Sequence, residues 1–167
     1  IDKDEIDRVE VRLASTAGTC AVMGTASTMA IITEVLGMSL PGTAAIPAVA
    51  AERLVAAEES GKAAVSMLSN PIKPSEIITE KSVENALRVL MAVSGSTNAV
   101  LHLAAVAGRR GIQISDSRLN DISEETPVLV DLKPVGKGYM EDFHAAGGVG
   151  GVLRELCLLY TSDAADD

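Results

Sequence analysis

The chain has 167 residues, with 14 Lys and Arg against 23 Asp and Glu for a formal net charge of −9. One domain is the ceiling at this length, a hydrophobic fraction of 47% excludes a disordered chain, and uncharged runs broken by Gly, Ser, Thr and Pro exclude a membrane-spanning helix. Basic residues scattered singly, apart from Arg109 and Arg110, argue against nucleic acid or an anionic membrane surface as partner.

The first residues alternate in charge, and Val9–Leu13 alternates apolar and polar as either a short strand or a frayed helix would. Ser15, Thr16 and Thr19 offer N-cap oxygens to a helix that carries Val22, Met23, Ala26, Met29, Ile32 and Leu36 and stops at Gly37; Cys20 falls in its first turn. A second helix is expected over 48–68, and 70–75 reads as a loop. Thr79 can cap a helix through Met91 that stops at Ser94-Gly95, and Ser96 or Thr97 starts another that closes at Gly108. Ile112–Ser115 is strand-like, 116–123 gives a turn or two of helix, and Pro127–Leu132 is the best strand, a buried apolar run as in a parallel sheet. Two short helices follow, 141–146 and 149–156, separated by Gly147-Gly148. The expected fold class is therefore α/β and helix-rich.

The only aromatic residues are Tyr139, Phe143 and Tyr160, so the core before Tyr139 must be built from small and aliphatic side chains, each large one worth about 1.5–3 kcal/mol when buried. The last eleven residues, 157–167, change character abruptly and resemble the in-frame translation of a transposon-type sequencing adapter. Setting their three aspartates aside takes the charge from −9 to −6. Residues 1–156 are expected to be the informative segment, and a start at Ile1 suggests a piece of a longer chain.

Cys20 and Cys157 are too far apart for a C-x-x-C pair, a zinc-ligand spacing or a disulfide framework, which fits a reducing, cytoplasmic setting. A thiol at a helix start favours its thiolate, the form that binds metal; on a generic chain the default is a small buried cysteine packed as a hydrophobe. Gly95–Asn98 could receive a phosphate or carboxylate on its hydroxyls and free amides, or be a plain helix cap. His102, on an apolar helix, is expected in the core. Glu141, Asp142 and His144 form a polar cluster after the strand exit loop, with a solvated helix start as the simpler reading. Gly147–Gly151 lacks the lysine of a phosphate-binding loop and reads as flexible or closely packed backbone.

Taken in order, Gly18-Thr-Cys-Ala-Val-Met-Gly-Thr-Ala-Ser-Thr-Met29, Leu36-Gly-Met-Ser-Leu-Pro-Gly42, Ile72-Lys-Pro-Ser75, Glu84-Asn-Ala86, Gly95-Ser-Thr-Asn-Ala-Val-Leu-His-Leu103 and Asp131-Leu-Lys-Pro134 with Met140-Glu-Asp142 resemble the IlvD/Edd dehydratases, the family of dihydroxy-acid, phosphogluconate and aldonate dehydratases. The resemblance covers nearly all of residues 10–156 and implies an internal, helix-rich part of the N-terminal iron–sulfur domain. It further implies that Cys20 matches the last of three cysteines holding an iron–sulfur cluster, 2Fe–2S in preference to 4Fe–4S, and that a Mg²⁺ ion binds through ligands outside this segment. Ser96 and Thr97 become candidate substrate-binding residues, and no catalytic residue is expected here. The implied reaction is dehydration of a 2,3-dihydroxy acid, a sugar acid such as arabonate or xylonate or a branched-chain dihydroxy acid, to a 2-keto acid, by a homo-oligomer. The segment alone should be inactive. A reading from another class is a non-catalytic helical interaction module with Cys20 as a core residue. Ser94 departs from the family pattern, where many relatives have Gly.

Overall fold

Two capped helices set the centre of the molecule. The Thr79 hydroxyl accepts from the Ser82 amide at 3.2 Å while the Ser82 hydroxyl accepts from the Thr79 amide at 2.9 Å, a reciprocal cap that starts one helix. The Ser96 hydroxyl accepts from the Asn98 amide at 3.3 Å and starts the next. The computed structural model describes residues 2–13, 17–18 and 20–162. Among them the helices are α1 (Lys3–Leu13), α2 (Thr25–Val35), α3 (Ala51–Ser66), α4 (Pro74–Ile77), α5 (Glu80–Ala92), α6 (Thr97–Arg109), α7 (Asp116–Glu125), α8 (Met140–Ala145) and α9 (Gly148–Ser162).

Burial on two faces makes α2 and α5 the hub. Ile31 of α2 and Val89 and Ala92 of α5 pack with Met23, Leu132, Phe143, Val149 and Val152, which brings α8 and α9 against one side. The neighbouring Ile32 and the α5 residues Val83, Ala86, Leu87 and Leu90 pack with Ala99, Leu103 and Ala107 of α6 and Ile122 of α7 on the other. The alanines at these contacts let helix backbones approach closely, which is how a chain so poor in aromatic residues reaches a close-packed interior.

The α5–α6 link is a tight C-terminal turn. The Gly95 amide donates to the Leu90 carbonyl at 2.9 Å and the Ser94 amide to the Met91 carbonyl at 3.0 Å, and Ser94 takes φ +50. That left-handed position is the one glycine occupies most readily, which explains why a glycine fits there in the family pattern.

Several sequence expectations change. The described residues contain no strand, and the helix-rich part of the α/β expectation is what they show. Pro127–Asp131 forms no strand: the Leu129 amide donates at 2.8 Å to the Ala92 carbonyl at the end of α5, and Leu132 forms an isolated bridge to Gly138. A strand needs a laddered neighbour, and this segment borders helix ends and a cavity of about 180 Å³ lined by Leu129, Val130, Phe143 and Val152. Ile112–Ser115 is likewise irregular and ends in the N-cap of α7, Ser115, whose hydroxyl accepts from the Arg118 amide at 3.1 Å. Val9–Leu13 belongs to α1, α7 is longer than two turns, and a short helix, α4, begins within the expected loop at 70–75. His102 is exposed rather than in the core, because α6 turns Ala99, Leu103 and Ala107 inward. α9 continues past Leu156 to Ser162; residues 163–167 lie outside the described residues.

Candidate functional site

Cys20 lies in the loop ahead of α2 and not in a helical first turn, because the helix starts at Thr25 after an N-cap at Gly24 that offers no side chain. Ser15, Thr16 and Thr19, the expected caps, fall outside the described residues. The thiol nevertheless sits beside the helix start: a Cβ added to Gly24 would be 3.5 Å from Cys20 Sγ. Cys20 is exposed, and so is Cys157, and neither forms a disulfide. This exposure overturns the reading of Cys20 as a core residue.

Two backbone hydrogen bonds hold the Cys20 loop against the segment that follows Leu132. The Met23 amide donates to the Lys133 carbonyl at 2.8 Å, and the Met140 amide donates to the Ala21 carbonyl at 2.9 Å. Lys133 Nζ donates to the Tyr139 hydroxyl and stands 4.1 Å from its ring centroid, fixing the ring by charge as well as by contact. Tyr139, Met140 and Glu141 therefore share with Gly18, Cys20 and Ala21 the wall of an open cleft of about 1090 Å³.

The opposite wall is the stretch from Ser39 to Val49. Glu34, projecting from α2, accepts from the Gly42 amide at 2.7 Å through one carboxylate oxygen and from the Ala44 amide at 2.8 Å through the other. Arg53 of α3 donates to the Thr43 carbonyl at 3.2 Å and to the Ile46 carbonyl. Sequence reasoning missed both residues as organisers of the cleft. The available signal was the Pro41-Gly42 turn, whose free amides need an acceptor.

Ser96 and Thr97 are not among the residues lining that cleft. Ser96 is committed to capping and to α2: its hydroxyl lies 2.8 Å from the Thr25 hydroxyl and its amide donates to Thr28 Oγ1 at 3.0 Å. Thr97 is exposed. Of the cluster after the exit loop, Asp142 accepts from the Tyr139 amide at 2.8 Å as a helix start, while Glu141 alone faces the cleft. Gly147 and Gly148, at φ +105 and +55, make the turn between α8 and α9.

The described residues include no group of three or more His, Cys, Asp or Glu able to hold a metal ion. The exposed Cys20 thiol opens on a cleft lined largely by Ala, Gly, Ser and Thr, which leaves room beside it for a bulky group. No helix among the described residues is long and apolar enough to cross a membrane.

Comparison with known sequences agrees with the arrangement of motifs. The dihydroxy-acid dehydratase of Caldanaerobacter subterraneus subsp. tengcongensis is 45% identical over 156 residues, that of Ruminiclostridium cellulolyticum 46% over 154, and that of Methanococcoides burtonii 43% over 156. These alignments cover 92–93% of this chain, which spans only 28% of the length of each relative. The family described as dihydroxy-acid/6-phosphogluconate dehydratase N-terminal matches residues 1–165. The chain belongs to that family, as part of its N-terminal domain.

Proposed function

We propose that this chain is part of a hydro-lyase that converts a 2,3-dihydroxy acid to a 2-keto acid and water. A proton leaves C2, the C3 hydroxyl departs as water, and the resulting enol tautomerises to the ketone. The observation that carries the reading is the exposed Cys20 thiol on a cleft roomy enough for a cluster and a small acid. When bound, the iron–sulfur cluster of this family supplies a Lewis acid for the departing hydroxyl, in preference a 2Fe–2S cluster, and Mg²⁺ belongs to the same chemistry through residues outside this segment.

The segment's own residues hold and shape the site. Cys20 supplies one thiolate, and the Met23 and Met140 amide bonds fix its loop against the Tyr139–Glu141 wall. Glu34 and Arg53 fasten the facing loop, so the cleft keeps its width while substrate enters. We propose Ser96 and Thr97 as substrate-binding residues, Ser96 acting through the α2 start that it supports. The relatives' name speaks of a dihydroxy acid, which covers both classes, and the resemblance of the Pro41–Pro47 stretch to the sugar-acid dehydratases favours a sugar acid such as arabonate or xylonate over a branched-chain acid.

The proposal extends to a cytoplasmic, homo-oligomeric enzyme, and to Pro127–Leu132 as a strand once sheet neighbours from elsewhere in the polypeptide are in place, the α/β reading. The nucleotide sequence behind residues 157–167 decides whether they are adapter-derived. Assay of the complete protein on branched and sugar dihydroxy acids tests the activity: 2-keto acid formation is expected from the complete protein and none from the 167-residue chain. Turnover of neither substrate class by the complete, metal-loaded protein would remove the reading.

A further inference from the structure

Most hydrogen-bonding side chains on the walls of the cleft beside Cys20 are occupied by the chain's own backbone. Ser27 donates to the Val22 carbonyl at 2.8 Å, Thr33 to the Met29 carbonyl at 2.7 Å and Thr43 to the Leu40 carbonyl at 2.7 Å, while Arg53 holds the Thr43 and Ile46 carbonyls. Beyond the thiol, the exceptions are Ser39 on the far wall and Tyr139 and Glu141 on the near one. Lys133 Nζ donates to the Tyr139 hydroxyl, which leaves the phenol proton free to donate outward. Among the described residues the Glu141 side chain has no hydrogen bond or ion pair. One wall therefore offers one donor and one acceptor.

Local backbone explains why the two share a wall. Residues two apart on a helix point to different sides, but Tyr139 is the N-cap of α8, extended at φ −116 and ψ 172, and its side chain and that of Glu141 both line the cleft. The Met140 amide between them, bonded to the Ala21 carbonyl at 2.9 Å, fixes this strip beside the residue that follows Cys20. The Lys133 ammonium, 4.1 Å from the ring centroid, holds the Tyr139 ring in place.

We propose that Tyr139 and Glu141 recognise the hydroxylated tail of the acid, the carbons beyond C3, and so set a preference for a polyhydroxylated over a branched aliphatic substrate. The proposal rests on the dehydratase reading for which end of the acid meets the chemistry. A hydroxyl group both accepts and donates, so the tail can accept from the Tyr139 phenol and donate to the Glu141 carboxylate. A methyl group does neither and leaves both unpaired. Charge fixes the direction: the Glu141 carboxylate repels the acid's own carboxylate and favours the neutral tail on this wall.

The test uses the complete protein and calorimetric binding of two ligands that it does not consume: the 2-keto-3-deoxy acid formed from arabonate, which keeps its tail hydroxyls, and 3-methyl-2-oxobutanoate, which has none. Tyr139→Phe keeps the ring beside Lys133 and removes the O–H, and Glu141→Ala removes the acceptor. Each is expected to weaken binding of the hydroxylated acid by roughly tenfold or more and of the branched acid by less than about twofold. Equal weakening of both ligands, as a merely structural role gives, or no weakening of the hydroxylated one, overturns the proposal, as does an unmutated protein that binds the branched acid more tightly. If Glu141→Ala does not fold, Tyr139→Phe decides alone. Turnover is measured separately: a complete protein that binds the hydroxylated acid through this pair yet dehydrates neither substrate removes the dehydratase reading and leaves the pair.

Discussion

The hydroxyls of Thr25 and Ser96, 71 residues apart in sequence, lie 2.8 Å from each other and join the starts of α2 and α6. The Asn98 amide group adds a 3.3 Å bond to Thr25 Oγ1, and buried Thr28 receives the Ser96 amide. α2 has no side-chain cap of its own, so its first turn borrows polar partners from the next helix start. Ser96→Ala removes a cap and a cross-helix contact and is expected to cost about 1–2 kcal/mol in urea unfolding. A double-mutant cycle with Thr25→Val should show coupling of at least about 0.5 kcal/mol; additive losses would mean the two hydroxyls act independently.

The turn after α5 yields two opposite expectations. Ser94→Gly relieves a left-handed φ of +50 and should stabilise the fold by about 1 kcal/mol. At the next residue, a Cβ on Gly95 would lie 2.7 Å from Thr28 Cγ2 and 3.2 Å from the Leu90 carbonyl, so Gly95→Ala should destabilise by about 1–3 kcal/mol. Denaturant midpoints measured side by side check the sign of each.

Along α6, burial separates neighbours that look alike in sequence. Leu103 is fully buried against α5 and α7, while Leu101 is 71% exposed. Leu103→Ala should cost about 2–5 kcal/mol, and Leu101→Ala should stay within about 0.5 kcal/mol in the segment itself. Thermal unfolding of the two variants distinguishes them, and equal losses would contradict the α6 orientation described above.

Helices α5 and α6 were legible because capping hydroxyls, apolar spacing and stop residues agreed on the same boundaries. The start of α2 was not, since several hydroxyls before Cys20 competed as caps and the true N-cap, Gly24, carries no side chain. Pro127–Leu132 shows another limit: an apolar β-branched run favours a strand, while sheet pairing depends on a neighbour that composition cannot supply. His102 was misplaced because Leu101 and Leu103 on either side suggested an apolar face, although residues one apart point in different directions on a helix. Cys20 stands out by its motif, whereas Glu34 and Arg53 do not, because their role is to bind loop backbone and leaves no chemical signature.

α5 and α7 are tied by charge. Glu84 accepts from Arg88 at 3.0 Å and from Arg118 at 2.5 Å, and Arg88 also reaches Glu125 at 3.1 Å. The Arg88 hydrogen bond foremost, with Arg118, holds the Glu84 carboxyl below its ordinary value of 4.5. Its stabilisation is therefore present above pH 4.5 and lost as pH falls through the lowered folded value. With the side chain 40% exposed, solvent screening limits the effect to about 0–1 kcal/mol. The stability difference between the unmutated protein and Glu84→Gln should shrink as the pH is taken down from 6 to about 3, and a difference that grows on acidification would contradict the ion-pair reading.

The most direct measurement is iron per chain, with the visible absorbance of an iron–sulfur cluster, in the complete protein carrying Cys20→Ser. An exposed thiol on the cleft, placed as one cluster ligand, requires that iron and absorbance fall sharply while far-ultraviolet circular dichroism is retained. Iron content and spectrum unchanged from the unmutated protein would contradict the assignment of Cys20 as a ligand.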